Sequence, residues 1–229
     1  MAATSATLLP GARRTGWRDV LTGLGGVAVI AAAFATPWRR RARGTWGAGP
    51  ESAARPHPGD ELVPEPRWGW THAVTVDAPP ERTWPWVAQV GADRAGFYSY
   101  TWLENLVGAR MRNTDMVHPE WQERFRGDSV WLASERRFHD RGRQVAALVK
   151  VQRAIVLVSP QDWERLQRGE RASGAWSFFL EPLDDGTTRF VIRSSGGAVG
   201  THLFDAIHFL MEQKMMRGLA HRAERLTAR

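Results

Sequence analysis

A run of alternating side chains near residue 70 constrains the fold more than any other part of the sequence. In residues 70–77 the side chains of His72, Val74 and Val76 fall on one face, and threonine and aspartate side chains fall on the other. This two-residue period is typical of a strand with one face buried. A pair of prolines ends the run, so the strand is followed directly by a different element.

The segment after this strand begins as a helix. Pro80 suits the first helical position, where a missing N–H costs nothing, and Glu81 lies at the positive end of the helix dipole. Trp84 and the apolar residues three and four positions later form one stripe along the helix. We expect this helix to cover residues 80–90 and to end at Gly91.

The remaining elements are predicted in the order helix, strands, helix. A second short helix should lie near residues 98–107, and a long amphipathic helix, capped by Thr201, should reach residue 226. Between them, β-rich runs bounded by turn residues predict an antiparallel meander. These runs are residues 129–134, 144–151, 155–158, 175–180 and 189–194. Residues 160–173 interrupt the series as a charged, helix-like excursion.

Three motifs together resemble the bacterial SRPBCC superfamily of START-like, polyketide-cyclase-like proteins, in its membrane-anchored subgroup. They are the strand leading into APPE-x-x-W, then GFYSY-x-WLEN, then VHPEW. The resemblance covers residues 68–229 and implies an α+β helix-grip fold. In that fold an antiparallel sheet wraps around a long C-terminal helix, two short helices follow the first strand, and a hydrophobic cavity lies between sheet and helix. The resemblance indicates a fold more than an activity, because the superfamily holds carriers, cyclases and proteins of unknown role.

The resemblance also implies where a ligand would bind. The GFYSY-x-WLEN motif lies beside the implied cavity mouth, where two phenols and an amide could orient the polar end of a ligand. Tryptophans of predicted elements and flexible methionines of the last helix could line the cavity, although core packing explains them equally well. The candidate ligand-binding residues are Tyr98, Tyr100, Trp102, Asn105, Trp131, Trp176, Ile207, Met211 and Met215. Glu104 belongs to the same motif, and Arg193 should face either solvent or an acidic partner.

Charge and composition exclude several other functions. The net charge is +7, but seven arginines and one aspartate in residues 1–44 account for +6 of it, so the domain lacks the basic footprint of a nucleic-acid-binding protein. The absence of cysteine excludes thiolate catalysis and cysteine-bound metals. The sequence contains no G-x-S-x-G, H-E-x-x-H or Walker motif. We therefore expect no cofactor, no metal and no nucleic-acid partner; no protein partner is indicated.

The N-terminal segment predicts a membrane anchor. Residues 1–19 form a basic tail, and residues 20–38 are 19 residues without a charge, long enough to cross a bilayer core of roughly 30 Å. The alternative is a cleaved signal with the small-residue site Ala-Phe-Ala at 33–35. Four arginines directly after the apolar run favour an uncleaved single-pass anchor with a cytoplasmic C-terminal domain. Residues 39–66 then read as a basic and Pro/Gly-rich linker to a START-like domain at residues 67–229.

Three functions follow as hypotheses. The first is a membrane-tethered START-like domain that binds or transfers a small hydrophobic ligand such as a lipid, an isoprenoid or a polyketide. The second is a cyclase or dehydratase acting in the same cavity, with Tyr98, Tyr100 or His139 transferring a proton. The third is an interaction module with a filled core.

Overall fold

The computed structural model describes residues 44–66, 69–106, 108–196 and 202–225. Within these ranges, no helix is long and apolar enough to span a membrane. The predicted anchor at residues 20–38 and the basic tail before it lie outside the described residues. In chain order the elements are α1 (Gly49–Ala54), β1 (Gly69–Val76), α2 (Pro80–Ala88), α3 (Thr101–Leu106), β2 (Ser129–Trp131), α4 (Glu135–Phe138), β3 (Arg143–Lys150), β4 (Ala154–Val158), α5 (Pro160–Gln167), β5 (Gly174–Pro182), β6 (Thr188–Gly196) and α6 (His202–Arg225).

The six strands form one antiparallel sheet in the order β1-β6-β5-β4-β3-β2. The first strand therefore pairs with the last one, and it does so along its whole length, from Gly69 opposite Ser195 to Val76 opposite Thr188. The other strands follow as hairpins, and α6 packs across one face. This is the helix-grip arrangement, and it confirms the fold that the resemblance implied.

Element boundaries differ from the predicted ones for identifiable reasons. The second short helix begins at Thr101 instead of residue 98, because Tyr98 adopts a left-handed backbone with a φ of 56°. The excursion after β4 is the helix α5, and Ser159 caps it by accepting a hydrogen bond from the backbone N–H of Asp162 over 3.0 Å.

The C-terminal half of α6 is packed tightly against the rest of the domain. Met215, Met216 and Leu219 are each at most 3% exposed. A Cβ added at Gly218 would collide with the backbone oxygen of Tyr98, so only glycine permits this close approach. The helix and the α2–α3 connection therefore form one continuous core with the sheet.

A second layer covers the opposite face of the sheet. We call residues 44–66 the strap. The strap and α5 lie over two further apolar clusters of the sheet, in which Val156 and Phe179 are buried. The His57 ring stacks on Phe179 with centroids 5.0 Å apart and planes 10° apart. A Cβ at Gly59 would lie 2.6 Å from Val156 Cγ2, so the strap approaches the sheet as closely as a glycine allows.

Polar contacts fix the strap in place. Arg193 Nε lies 3.0 Å from Asp60 Oδ1, which answers the question of whether this arginine faces solvent or an acidic partner. Arg55 pairs with Glu181 over 2.9 Å. The backbone N–H of Ala73 donates to the Trp46 carbonyl over 3.0 Å, so the strap also occupies part of the open edge of β1.

Part of the predicted linker packs on the sheet. Residues 44–66, which the sequence pattern assigns to a linker, contact Arg193, Glu181 and the backbone of Ala73. The strap lacks hydrophobic periodicity because it is built from turns, one helical turn and single anchoring side chains. Its glycines and prolines serve close packing and turns here, and not flexibility.

Removing the strap should destabilise the domain strongly. A chain that starts at residue 67 exposes the apolar face around Val156 and Phe179, and each buried side chain of this size contributes about 2 kcal/mol. We expect a chain starting at residue 44 to unfold cooperatively in urea, and a chain starting at residue 67 to bind the dye anilinonaphthalene sulfonate and to lose its cooperative transition. Equal unfolding midpoints for the two chains would contradict the packing role of the strap.

Candidate functional site

A carboxylate is buried between the helix α6 and the edge strand β1. Glu212 is 2% exposed, and its Oε1 lies 2.6 Å from Nδ1 of His72, which is also 2% exposed. The two residues are 140 positions apart in the sequence. A buried charge is costly unless it is paired and hydrogen-bonded, so this contact fixes the position of α6 relative to β1.

The second carboxylate oxygen faces two more donors. Trp176 Nε1, from β5, donates a hydrogen bond to Glu212 Oε2 over 3.3 Å. His208 Nδ1, one turn earlier on α6, lies 3.8 Å from the same oxygen. We refer to Glu212, His72, His208 and Trp176 as the Glu212 cluster. A single carboxylate thus connects two imidazoles and an indole from three different elements.

The electrostatics of the cluster favour the ionised carboxylate. Burial alone raises the pKa of Glu212, but the hydrogen bond from His72 and the charges of His208 and His72 act in the opposite direction. The net effect lowers the pKa of Glu212 below its ordinary value. Glu212 is therefore a fixed negative charge in the interior of the domain.

Aromatic side chains line the space beside the cluster. Trp70 and Trp176 flank His208, with ring centroids 5.1 Å and 6.1 Å from its imidazole. Phe97 stacks on Trp176 at 5.8 Å, and Phe209 lies 5.2 Å from His72. We call Trp70, Trp176, Phe97 and Phe209 the aromatic wall.

The sheet register explains why the two indoles of this wall share one face. Ser194 of β6 is directly opposite Trp70 of β1 and also directly opposite Trp176 of β5. Residues opposite each other in an antiparallel sheet point to the same side, so the three side chains form one row under α6. Ser194 is thus a small side chain between two indoles in this row.

The solvent exposure of the side chains changes along α6. Residues 207–211 are all half-buried although four of the five are apolar, whereas Met215, Met216 and Leu219 in the following turns are buried. The His208 side chain is 29% exposed, against 1% for Glu212. Residues 207–211 are thus partly accessible beside the aromatic wall, whereas the turns around Met215, Met216 and Leu219 are closed core.

The structure places several of the sequence-predicted residues on this side of the domain. Trp176 belongs to the Glu212 cluster, Ile207 and Met211 lie on the accessible half of α6, and Met215 lies in the closed core. Whether any of them binds a ligand stays a prediction.

Other predicted residues have structural contacts instead. Tyr98 is 1% exposed, its hydroxyl donates to the Trp86 carbonyl over 3.0 Å, and burial raises its pKa. Asn105 makes two hydrogen bonds with the backbone of Met111, which hold the loop after α3. These contacts explain both side chains without a ligand.

The four remaining predicted positions have no contact with the Glu212 cluster among the interactions described. Trp102 is 47% exposed on α3, and its ring contacts that of Tyr100, which also lies under the ammonium group of Lys214 at 5.7 Å. Trp131 is on β2, at the edge of the sheet opposite β1. His139, considered as a proton carrier, is exposed beyond α4.

Glu104 is a second buried carboxyl group in the predicted motif. It is 5% exposed, and its Oε2 has no hydrogen-bond partner among the described residues. Burial raises its pKa to about 7, so it keeps its proton up to near neutral pH.

Sequence reasoning missed the three residues that define the cluster. The alternation in residues 70–77 predicts only a strand position for His72, and His208 and Glu212 are not among the predicted site residues. The available signal was a glutamate within the apolar face of a helix together with a histidine on the apolar face of a strand. Among the described residues, no group of three or more histidine, aspartate or glutamate side chains is arranged to hold a metal ion.

Comparisons with known proteins give structural similarity only. No protein-family model and no curated protein matches the chain. A solved structure from Nitrosospira multiformis is 14% identical with a TM-score of 0.40, and the match covers 71% of this chain and 100% of that one. A protein from Mesorhizobium loti is 16% identical with a TM-score of 0.36, over 68% of this chain and 97% of that one. A Polyketide_cyc-like protein from Corynebacterium glutamicum is 11% identical with a TM-score of 0.34. That match covers 70% of this chain and 91% of that one.

Proposed function

We propose that the domain binds a small, mainly apolar molecule between the aromatic wall and the first half of α6. The observation that supports this proposal is the change along α6: residues 207–211 are half-buried and His208 lies between the two indoles that flank Ser194, while the turns around Met215, Met216 and Leu219 are closed core. Binding sites for small molecules are typically apolar and aromatic surfaces with a few placed polar groups. The Glu212 cluster supplies those polar groups.

The composition of the site indicates the kind of ligand. Indole and phenyl rings favour flat or chain-like apolar groups, whereas His208, at the more exposed end of the Glu212 cluster, favours one polar end. If about 300 Å² of apolar ligand surface is buried, transfer from water contributes about 7 kcal/mol. The loss of translational and rotational freedom on binding offsets part of this gain. We therefore expect micromolar affinity for a lipid, an isoprenoid or a polyketide-like molecule.

A second candidate function is a docking module. Trp102 and Leu106 lie one helical turn apart on α3 and are 47% and 78% exposed. Two large apolar side chains at this spacing form a patch that a partner could cover. This patch lies on the outside of the domain, so variants there separate docking from ligand binding.

Ligand binding should depend on Trp176 and Ser194 and not on Trp102. In the chain from residue 44, we expect Trp176→Leu to weaken binding of 11-(dansylamino)undecanoic acid at least about tenfold, which is about 1.4 kcal/mol. Ser194→Leu should weaken it similarly, because it places a larger side chain between the indoles. Dansyl fluorescence titration measures the dissociation constants.

Trp102→Leu serves as the matched control and should bind like the unchanged chain. The proposal fails if all variants bind the dansyl probe equally well, or if the unchanged chain does not bind it. Loss of binding in Trp102→Leu alone would favour the patch on α3 as the site.

We also propose that residues 20–38 tether this domain to the cytoplasmic side of a membrane. The 19-residue uncharged run and its flanking arginines support the tether. The full chain should stay with membranes after carbonate extraction, whereas the chain from residue 44 should be released.

The side of the membrane can be tested because the chain has no cysteine of its own. Val151→Cys places a thiol at a position that is 68% exposed. A membrane-impermeant maleimide should label it only after the cells are opened. Labelling of intact cells would contradict the cytoplasmic placement, and recovery of the full chain in the soluble fraction would contradict the anchor.

A further inference from the structure

We propose that the surface around α3 docks on an anionic lipid bilayer. This inference rests on the docking module given above as the second candidate function, names its partner, and does not involve the ligand site. Its first observation is an exposed apolar pair. Trp102 is 47% exposed and Leu106 is 78% exposed, one turn apart on α3. The boundary between the head groups and the acyl chains of a bilayer takes up such side chains, and tryptophan is enriched there.

The second observation is positive charge around this pair. The acidic side chains of residues 100–112 and 135–143 are Glu104, which is buried, and Glu135 and Asp140, which are exposed. Residues 45–229 as a whole hold 24 basic and 23 acidic side chains, so a nearly neutral domain carries a locally basic surface here. Seven basic side chains belong to these two segments and the facing turn of α6, namely Arg110, Arg112, Arg136, Arg137, Arg141, Arg143 and Lys214.

Contacts with α4 bring part of this charge beside α3. The backbone N–H of Ser134 donates to the Ala109 carbonyl over 2.9 Å, so α4 starts next to the turn that follows α3. A Cβ added at Gly108 would lie 2.5 Å from Nε of Arg137, which places this guanidinium directly at the turn. Arg110 is exposed in the same turn. At least two cations therefore lie next to the C-terminal end of α3.

A further cation lies on the other side of α3. The ammonium nitrogen of Lys214, from α6, lies 5.7 Å from the centroid of the Tyr100 ring. That ring contacts the Trp102 indole with centroids 6.5 Å apart. The exposed apolar pair is thus connected by direct contacts to a lysine of α6 at one end and to an arginine of α4 at the other. We call Trp102, Leu106, Arg110, Arg137 and Lys214 the α3 surface.

A bilayer accounts for both observations together. A basic surface alone fits any polyanion, and an exposed apolar pair alone fits many protein partners. On an anionic bilayer, the indole and the leucine enter the interface while the guanidinium and ammonium groups pair with phosphate and carboxylate head groups. The α3 surface has the composition that this mode of binding requires.

The test follows one labelled cysteine in the full chain, which has no cysteine of its own. Leu106→Cys carries the dye nitrobenzoxadiazole, and the chain is reconstituted with phosphatidylcholine vesicles that contain or lack phosphatidylserine. We expect the dye emission to shift to the blue, and to be quenched by spin-labelled acyl chains, only with phosphatidylserine. High salt should reverse both effects, because it screens exposed charges.

Two matched controls belong to this test. Val151→Cys with the same dye should not respond. Val151 is 68% exposed and follows the last residue of β3, roughly 25 Å along this strand from its start beside α4. In the Leu106→Cys chain, Arg137→Gln should lower the ratio of docked to undocked domain about fivefold, the typical effect of one cation near an anionic surface. Arg153→Gln makes the same charge change beside Val151 and should have no effect.

Several outcomes would overturn the proposal. They are equal emission of the Leu106→Cys chain with and without phosphatidylserine, an equal response of the Val151→Cys chain, or equal losses in Arg137→Gln and Arg153→Gln. A response to soluble polyglutamate but not to vesicles would replace the bilayer with an acidic protein and leave the docking module standing. Absence of both responses would contradict the docking module as well.

Discussion

The burial of Glu212 is the interaction on which the arrangement of this domain depends. An isolated carboxylate in the interior would cost several kcal/mol, and pairing with His72 makes its burial tolerable. The pair joins the long helix to the edge strand β1, while Trp176 adds a contact from β5. Because a buried hydrogen-bonded pair requires a defined geometry, it fixes the position of α6 around Glu212 relative to β1.

The two halves of α6 therefore serve different purposes. The second half, around Gly218 and Leu219, is buried in the core and packs the helix tightly against the rest of the domain. Residues 207–211 are half-buried, and His208 among them lies between two indoles of the aromatic wall. A domain that needs both stability and an adaptable binding surface gains from this separation, because ligand-dependent changes at one end do not loosen the core at the other.

The sheet needs cover on both faces, and this requirement explains the strap. Antiparallel sheets often leave one face to water, but here β4 and β6 are buried along most of their lengths and β5 is buried at its centre. The strap and α5 cover the face that α6 does not reach.

Much of the fold could be predicted from local sequence patterns, but the site could not. Alternation identified β1 and the hairpins, and amphipathic spacing identified α6, because these signals depend on neighbours within a few positions. The Glu212 cluster depends on strand register and on partners 36 and 140 positions away, which periodicity does not encode. The packing of the strap could not be predicted for a similar reason. It depends on single contacts, such as Asp60 with Arg193 and His57 with Phe179, that form no periodic pattern. Tyr98 and Asn105 were associated with the ligand through their motif, and their structural contacts became visible only in three dimensions.

The most direct test of this account is the pKa of Glu212, measured by carbon-13 NMR of the side-chain carboxyl in the folded domain. The account predicts a pKa below the ordinary glutamate value of 4.5, and a higher pKa in His72→Phe, where burial would act without the compensating hydrogen bond. A pKa at or above the ordinary value in the unchanged domain would contradict the ionised, paired carboxylate on which the proposed site rests.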